Sequence, residues 1–137
     1  MQSKTKGGFN PIHKVIEGKE YVDASFFFSS NDIPKDLGVN YITIRVTRDS
    51  MVNGSINDTP IGAYVLGKKV ELQNEFNGLY GYIVQTDKGY TFFCDLERHK
   101  DYLLVRYRNE AFGKQYGIIK LKLIDILGIY EVVKRSF

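Results

Sequence analysis

The alternation of apolar and polar positions from Tyr41 onward predicts a series of short strands. Tyr41-Ile42-Thr43-Ile44-Arg45-Val46 largely alternates. Ala63-Tyr64-Val65-Leu66 and Val70-Glu71-Leu72 are shorter apolar or alternating pieces. Tyr80 to Thr86 meets Tyr90 to Cys94 through Asp87-Lys88-Gly89, and a three-residue connection containing glycine predicts a hairpin. Tyr102 to Tyr107, Gly117 to Leu123 and Ile126 to Val133 supply further strands. Many short strands at close spacing imply a compact, mostly antiparallel β fold.

Upstream of Tyr41 the pattern is weaker. Ala24 to Ser30 is apolar and aromatic, suited to a short strand or an anchor segment. Asn31 to Gly38 reads as a turn or a single helical turn, with Asn31 or Asp32 as its cap and Gly38 at its end. Residues 1 to 20 are polar and carry Gly7, Gly8, Pro11 and Gly18, which predicts an arm with little structure of its own. The expected organisation is an arm at 1–20 and a single β domain at 21–137. A helix-turn-helix head needs more chain than this arm offers, so none is expected.

Composition narrows the function classes. Ten Tyr and nine Phe with no Trp suit sheet surfaces. The net charge of +3 comes from scattered Lys and Arg, so no direct nucleic-acid binding is expected. Alternation on a solvated strand face accounts for Arg98, His99, Lys100, Arg106 and Arg108 beside aromatic residues. A lone cysteine, Cys94, forms no internal disulfide, which suits a reducing, cytoplasmic setting. The charged N-terminus is followed by no apolar core of a leader. The apolar runs fall well short of the ~20 residues of a membrane helix, so no membrane partner is expected. One Cys and two His make no recognisable zinc site, and Gly62 to Gly67 lacks phosphate-loop spacing. Neither metal nor cofactor is expected.

The stretch that carries chemistry is Asp49-Ser50-Met51-Val52-Asn53-Gly54-Ser55-Ile56-Asn57-Asp58. It places a serine and a methionine after a β-rich run, then a turn, an isolated apolar residue and an acid. Asp49, Ser50, Met51, Gly54, Ile56 and Asp58 resemble the nucleophile segment of the LexA/UmuD-type serine–lysine autoproteases. The resemblance runs roughly from Tyr41 to Val133. Gly81-Tyr82-Ile83-Val84 is similar to the family's next strand, and Thr91 to Leu96 to its lysine strand. Asn109 and Phe112 match a later Asn-aromatic pair, and Asp125 to Tyr130 the closing strand. The resemblance implies the family's signal-peptidase-like β fold, dimers formed through C-terminal strands and arm, and a groove that holds a peptide. Its implied setting is a bacterial or phage stress-response or transcription-regulation circuit.

Three positions depart from the family. Arg48 replaces a glycine, and Thr59-Pro60 replaces Gly-Asp after the acid. The dyad lysine falls on Phe93 or Cys94. A serine hydroxyl is a weak nucleophile that needs a base within hydrogen-bond reach, and phenylalanine accepts no proton. A buried thiol resists ionisation. Lys88 lies in the expected hairpin turn and Lys100 beyond the strand, while His13 and His99 sit in polar stretches. Ser50 is therefore expected to keep the nucleophile's place without its activity, its hydroxyl capping a turn. Met51 is expected in the core or groove. The family's cleavage bond would correspond to Gly7-Gly8, ahead of Phe9-Asn10-Pro11, with Ala24-Ser25 a poorer match.

The expected function is thus a degenerate peptidase-fold module for dimerisation or regulatory interaction, engaging a protein partner through its groove or a sheet edge. One alternative is an active self-cleaving peptidase with Ser50 and an unrecognised base. Another is an unrelated β-barrel binding module, which would place Ser50 away from Tyr90 to Asp95.

Overall fold

A computed structural model describes residues 23–137. The predicted arm at 1–20, with Gly7, Gly8 and His13, lies outside the described residues. The expected mostly antiparallel β architecture is present. Seven strands form one curled sheet in the order β1-β2-β7-β3-β4-β5-β6. They are β1 (Tyr41–Arg45), β2 (Tyr64–Val70), β3 (Tyr82–Thr86), β4 (Thr91–Arg98), β5 (Tyr102–Arg106), β6 (Ile119–Lys122) and β7 (Ile126–Ser136). Every pairing is antiparallel. Two short helices are added, α1 (Leu37–Asn40) and α2 (Glu110–Tyr116).

The closing strand β7 runs between β2 and β3, so the end of the domain ties together strands distant in sequence. Its approach to β2 explains Gly67. A Cβ there would lie 2.8 Å from Tyr130 Cβ and 3.0 Å from Ile83 Cδ1, at a break in register between Leu66 and Gly67. One face of the curl buries Ile42, Ile44, Val65, Ile83, Tyr130 and Val132. The opposite face buries Tyr82, Val84, Cys94, Leu96, Leu103 and Val105. Strand alternation assigns Ile83 and Phe93 to the first and Val84 and Cys94 to the second.

Several boundaries differ from the sequence pattern. Ala24 to Ser30 is not a strand: Ala24–Phe27 forms a 3-10 turn capped by Asp23, whose carboxylate accepts from Ser25 N at 3.0 Å. The helical turn starts after Asp36, not after Asn31 or Asp32, and it runs through Gly38. Tyr64 to Leu66 of the first piece and Val70 of the second belong to one strand, β2, carried across the exposed Lys68 and Lys69 by pairing with β7, while Glu71 and Leu72 lie beyond its end. The predicted hairpin at 87–89 is present. Gly89, at φ +88°, donates to Thr86 O at 3.1 Å, and Thr86 N donates to Tyr90 O at 3.0 Å.

Candidate functional site

The site grows from the way β4 changes partners. Thr91 to Cys94 pair with β3, whereas Asp95 to Arg98 pair with β5. At the far end His99 N donates to Tyr102 O at 2.9 Å. Backbone groups alternate sides along a strand, so odd-numbered residues of β4 turn theirs toward the β5 edge. Thr91 and Phe93 share that parity, but β5 pairs only with Asp95 to Arg98. Along 91–93 the β5 edge of β4 therefore borders a groove of about 370 Å³.

Ser50 occupies that edge. Its hydroxyl donates to the Phe93 carbonyl at 3.3 Å, and the residue is only 5% exposed. This is the opposite of the placement required by the unrelated-module alternative. Asn109 holds the serine segment from the other side: its N–H donates to Ser50 O at 2.9 Å and its side-chain amide to Asp49 O at 3.0 Å. The same side chain accepts from Phe112 N at 3.2 Å and so caps α2. One residue thus joins the serine segment to the helix whose Phe112 and Tyr116 form a groove wall. Tyr107 lines it too, packed edge-on to Phe112 with centroids 4.8 Å apart. Ile44 to Arg48, which run out of the end of β1, line it as well, with the Arg48 guanidinium 5.7 Å from the Tyr116 ring centroid.

The other motif residues have structural partners. Met51 is fully buried against Gly81 and Cys94: a Cβ on Gly81 would sit 2.6 Å from Met51 Cε and 2.9 Å from Cys94 O, and Gly81 has φ +86°. That contact requires glycine. Asp58 closes the loop after Ser50 by accepting from Asn53 N at 3.0 Å and Gly54 N at 2.8 Å. The Asn53 bond, foremost among these donors, holds its carboxyl below the ordinary range. Gly54 turns the loop at φ +87°, and Ile56 at its tip is 94% exposed. Asp49 is also exposed. Arg135 of β7 supports the loop's end, donating to Asp58 O at 2.8 Å and Thr59 Oγ1 at 3.1 Å while lying 3.7 Å from the Tyr80 ring centroid.

Phe93 and Cys94, the two positions that the resemblance aligns with a lysine, now separate. Phe93 presents its carbonyl to Ser50 and its ring to the Ile83 face. Cys94 is wholly buried on the opposite face, and burial pushes its thiol well above the ordinary range, so it offers no thiolate. Among the described residues, the cations that line the groove are Arg45 and Arg48, and no described Lys or His lines it. Guanidinium stays protonated and supplies no base. His99 is bound to Glu97 at 2.6 Å and stacked on Tyr102, away from the groove lining. Ala24, of the second cleavage candidate, is buried in a cluster with Tyr41 and Leu66. Among the described residues, no group of three or more His, Cys, Asp or Glu could hold a metal ion. No helix among them is long and apolar enough to cross a membrane.

Sequence reasoning missed the part played by α2 and Tyr107. The signal was present in Asn109-Glu110, a capping residue before an acid, and in Gly117, which ends the helix at φ +76°. The fold and site together define a β domain with a serine-bearing groove along a strand edge. The chain matches no protein-family model and no curated protein.

Proposed function

We propose that this chain is a LexA/UmuD-like peptidase-fold domain whose serine has lost its base. It acts as a dimerisation and regulatory interaction module in a bacterial or phage stress-response or transcription circuit, in the cytoplasm. Its groove receives an extended peptide along β4, in the manner of strand addition. The observation that carries the reading is the contact of Ser50 Oγ with Phe93 O. The hydroxyl proton is engaged by a carbonyl, which cannot remove it, and among the described residues the cations of the groove are arginines. The edge of Thr91 and Phe93 supports the peptide-binding half of the reading, because backbone N–H and C=O groups at a strand edge are a template for another chain.

The test is self-cleavage. The protein is incubated for days between pH 7 and 10 beside Ser50→Ala and followed by intact mass. High pH deprotonates amines and thiols, which favours any hidden base. The expected result is no Ser50-dependent fragment at any pH. A fragment released by the wild type and not by Ser50→Ala would overturn the reading and make the chain a self-cleaving serine peptidase.

A further inference from the structure

β6 stands at the end of the sheet order and, among the described strands, pairs with β5 alone. Its register sets Lys122 opposite Tyr102, and one step further on Leu123 N donates to Asp101 O at 3.2 Å. Backbone groups alternate sides along a strand, so odd-numbered residues turn theirs toward β5, and Lys120 and Lys122 turn theirs outward. Side chains alternate in the same rhythm. Ile119 and Leu121 are half-buried and pack against the core that holds Leu103 and Val105. Lys120 and Lys122 are exposed, with the Lys120 ammonium 4.1 Å from the Tyr102 ring centroid. Neither β6 nor β5 carries an acid. Exposed isoleucines flank β6 in the chain, Ile118 at 72% and Ile124 at 86%.

Lysine on an edge guards against unplanned pairing. Here the guard is selective. Directly opposed residues of an antiparallel pair share a face, so β6 of a second copy can set only even-numbered positions against the lysines. Both registers that keep the strand paired along its length then bring Lys120 against Lys120 or Lys122 of the copy, and like charges directly opposed are destabilising. We infer that the β6 edge is a docking site for an extended segment of another protein in which Asp or Glu alternates with aliphatic residues. The acids meet Lys120 and Lys122, and the aliphatic residues cover the open flank of Ile119 and Leu121. The outward N–H and C=O groups of the two lysines supply the main-chain bonds of an added strand. This edge is distinct from the serine groove: Ile119 lines that groove, whereas Lys120 and Lys122 do not.

A random linear peptide library displayed on phage is selected against the full chain. The selected peptides are then titrated against variants whose circular dichroism matches the wild type. Lys120→Glu/Lys122→Glu reverses the charge of the edge at two exposed positions. Lys120→Ala and Lys120→Pro each remove one charge, and only proline also removes the outward N–H, a change that edge strands tolerate. Thr91→Pro alters the groove edge instead. The expected result is a class of peptides with acids at alternate positions that lose about tenfold or more in affinity on the double charge reversal. Lys120→Pro weakens them more than Lys120→Ala does, and Thr91→Pro leaves them unchanged. Selection on the charge-reversed variant switches to Lys and Arg. Edge-dependent peptides that are neutral or basic would overturn the inference, as would the absence of any peptide that responds to the β6 variants. Groove-dependent peptides alone, lost in Thr91→Pro and indifferent to β6, would overturn it and leave the groove reading standing. A wild-type dimer that sedimentation shows to dissociate in Lys120→Pro would also overturn it, because the edge would then hold a second copy.

Discussion

The two halves of β4 make different use of the same backbone. From Asp95 to Arg98 the β5 edge is occupied: β5 pairs with it, Arg106 Nε donates to Glu97 at 2.7 Å, and Arg108 grips Asp95 through two bonds of 2.7 and 2.9 Å. From Thr91 to Phe93 one edge is paired with β3 and the other meets a serine hydroxyl and a groove. Both halves follow the strand pattern in sequence. What separates them is where the next strand leaves. After Arg106 the chain turns through Tyr107 and Arg108 into α2 and does not follow β4 further. A groove along a strand edge is produced here by ending a neighbour early.

The sharpest break of this comparison is Leu103→Ala. Leu103 is fully buried between β4 and β6 and belongs to the core of the closed half. Its loss should cost about 2–5 kcal/mol, the transfer and cavity cost of a buried leucine. The matched change in the open half, Thr91→Ala, should stay within about 0.5 kcal/mol. Urea unfolding followed by circular dichroism checks both. Equal costs would mean that the two halves do not differ in packing.

A smaller effect comes from alkali. Burial pushes Tyr107, which borders both halves, up to about 12, and it raises Tyr82 and Tyr130 as well. The unfolded phenols ionise near their ordinary value of 10 while the folded ones keep their protons. Between those values the folded state binds more protons, so stability falls as pH rises. This contribution is fully present below pH 10 and is lost as pH climbs toward 12. Tyr107 remains partly exposed, and water screens the effect. Urea midpoints measured from pH 8 to 12 should be level to about pH 10 and then decline, and Tyr107→Phe should flatten part of that decline. No decline would show that these rings are not shielded.

Asn109→Ala tests what holds the open half in place. The side chain caps α2 and ties down Asp49 O, so its loss should cost about 1 kcal/mol through the cap, with a further loss of order in the serine segment. Hydrogen exchange should rise at Ser50 to Val52 and along α2, while β5 and β6 stay protected. Unchanged exchange at Ser50 would show that the backbone bond from Asn109 N suffices.

The strands were legible in the chain because each carries alternation or a dense apolar run. The hairpin at Gly89 was legible because its turn chemistry is local. The union of the pieces around Gly67 was not, since Lys68 and Lys69 break the apolar pattern and only β1 and β7 on either side make the strand continuous. The seven residues of α2 carry too little periodicity to stand out, and the caps at its two ends were the available signal. At the site, the order of residues singled out Ser50 and the strand opposite it. It left Phe93 and Cys94 open as alternatives, because the face a side chain takes depends on the registry of a strand. The contact of Arg48 with the Tyr116 ring could not be seen at all: four strands, β2 to β5, separate Arg48 from α2 along the chain.

The smallest expected effect is the most informative about the serine. Ser50 Oγ to Phe93 O is a long hydrogen bond, and the modest net value of a neutral bond in proteins sets its contribution below about 1 kcal/mol. Ser50→Ala should therefore shift the urea midpoint only slightly, and the released carbonyl faces a groove that water can enter. If the hydroxyl is a relic, the variant should also bind groove-dependent peptides as well as the wild type or better, because the Phe93 carbonyl is then free to accept from an incoming strand. If Ser50→Ala instead costs more than about 2 kcal/mol, the hydroxyl is a structural clasp. The similarity of Asp49-Ser50-Met51 to a nucleophile segment would then reflect packing alone. Calorimetric unfolding of both proteins together with peptide titration separates the two outcomes, because a clasp moves stability and a vacated edge moves affinity.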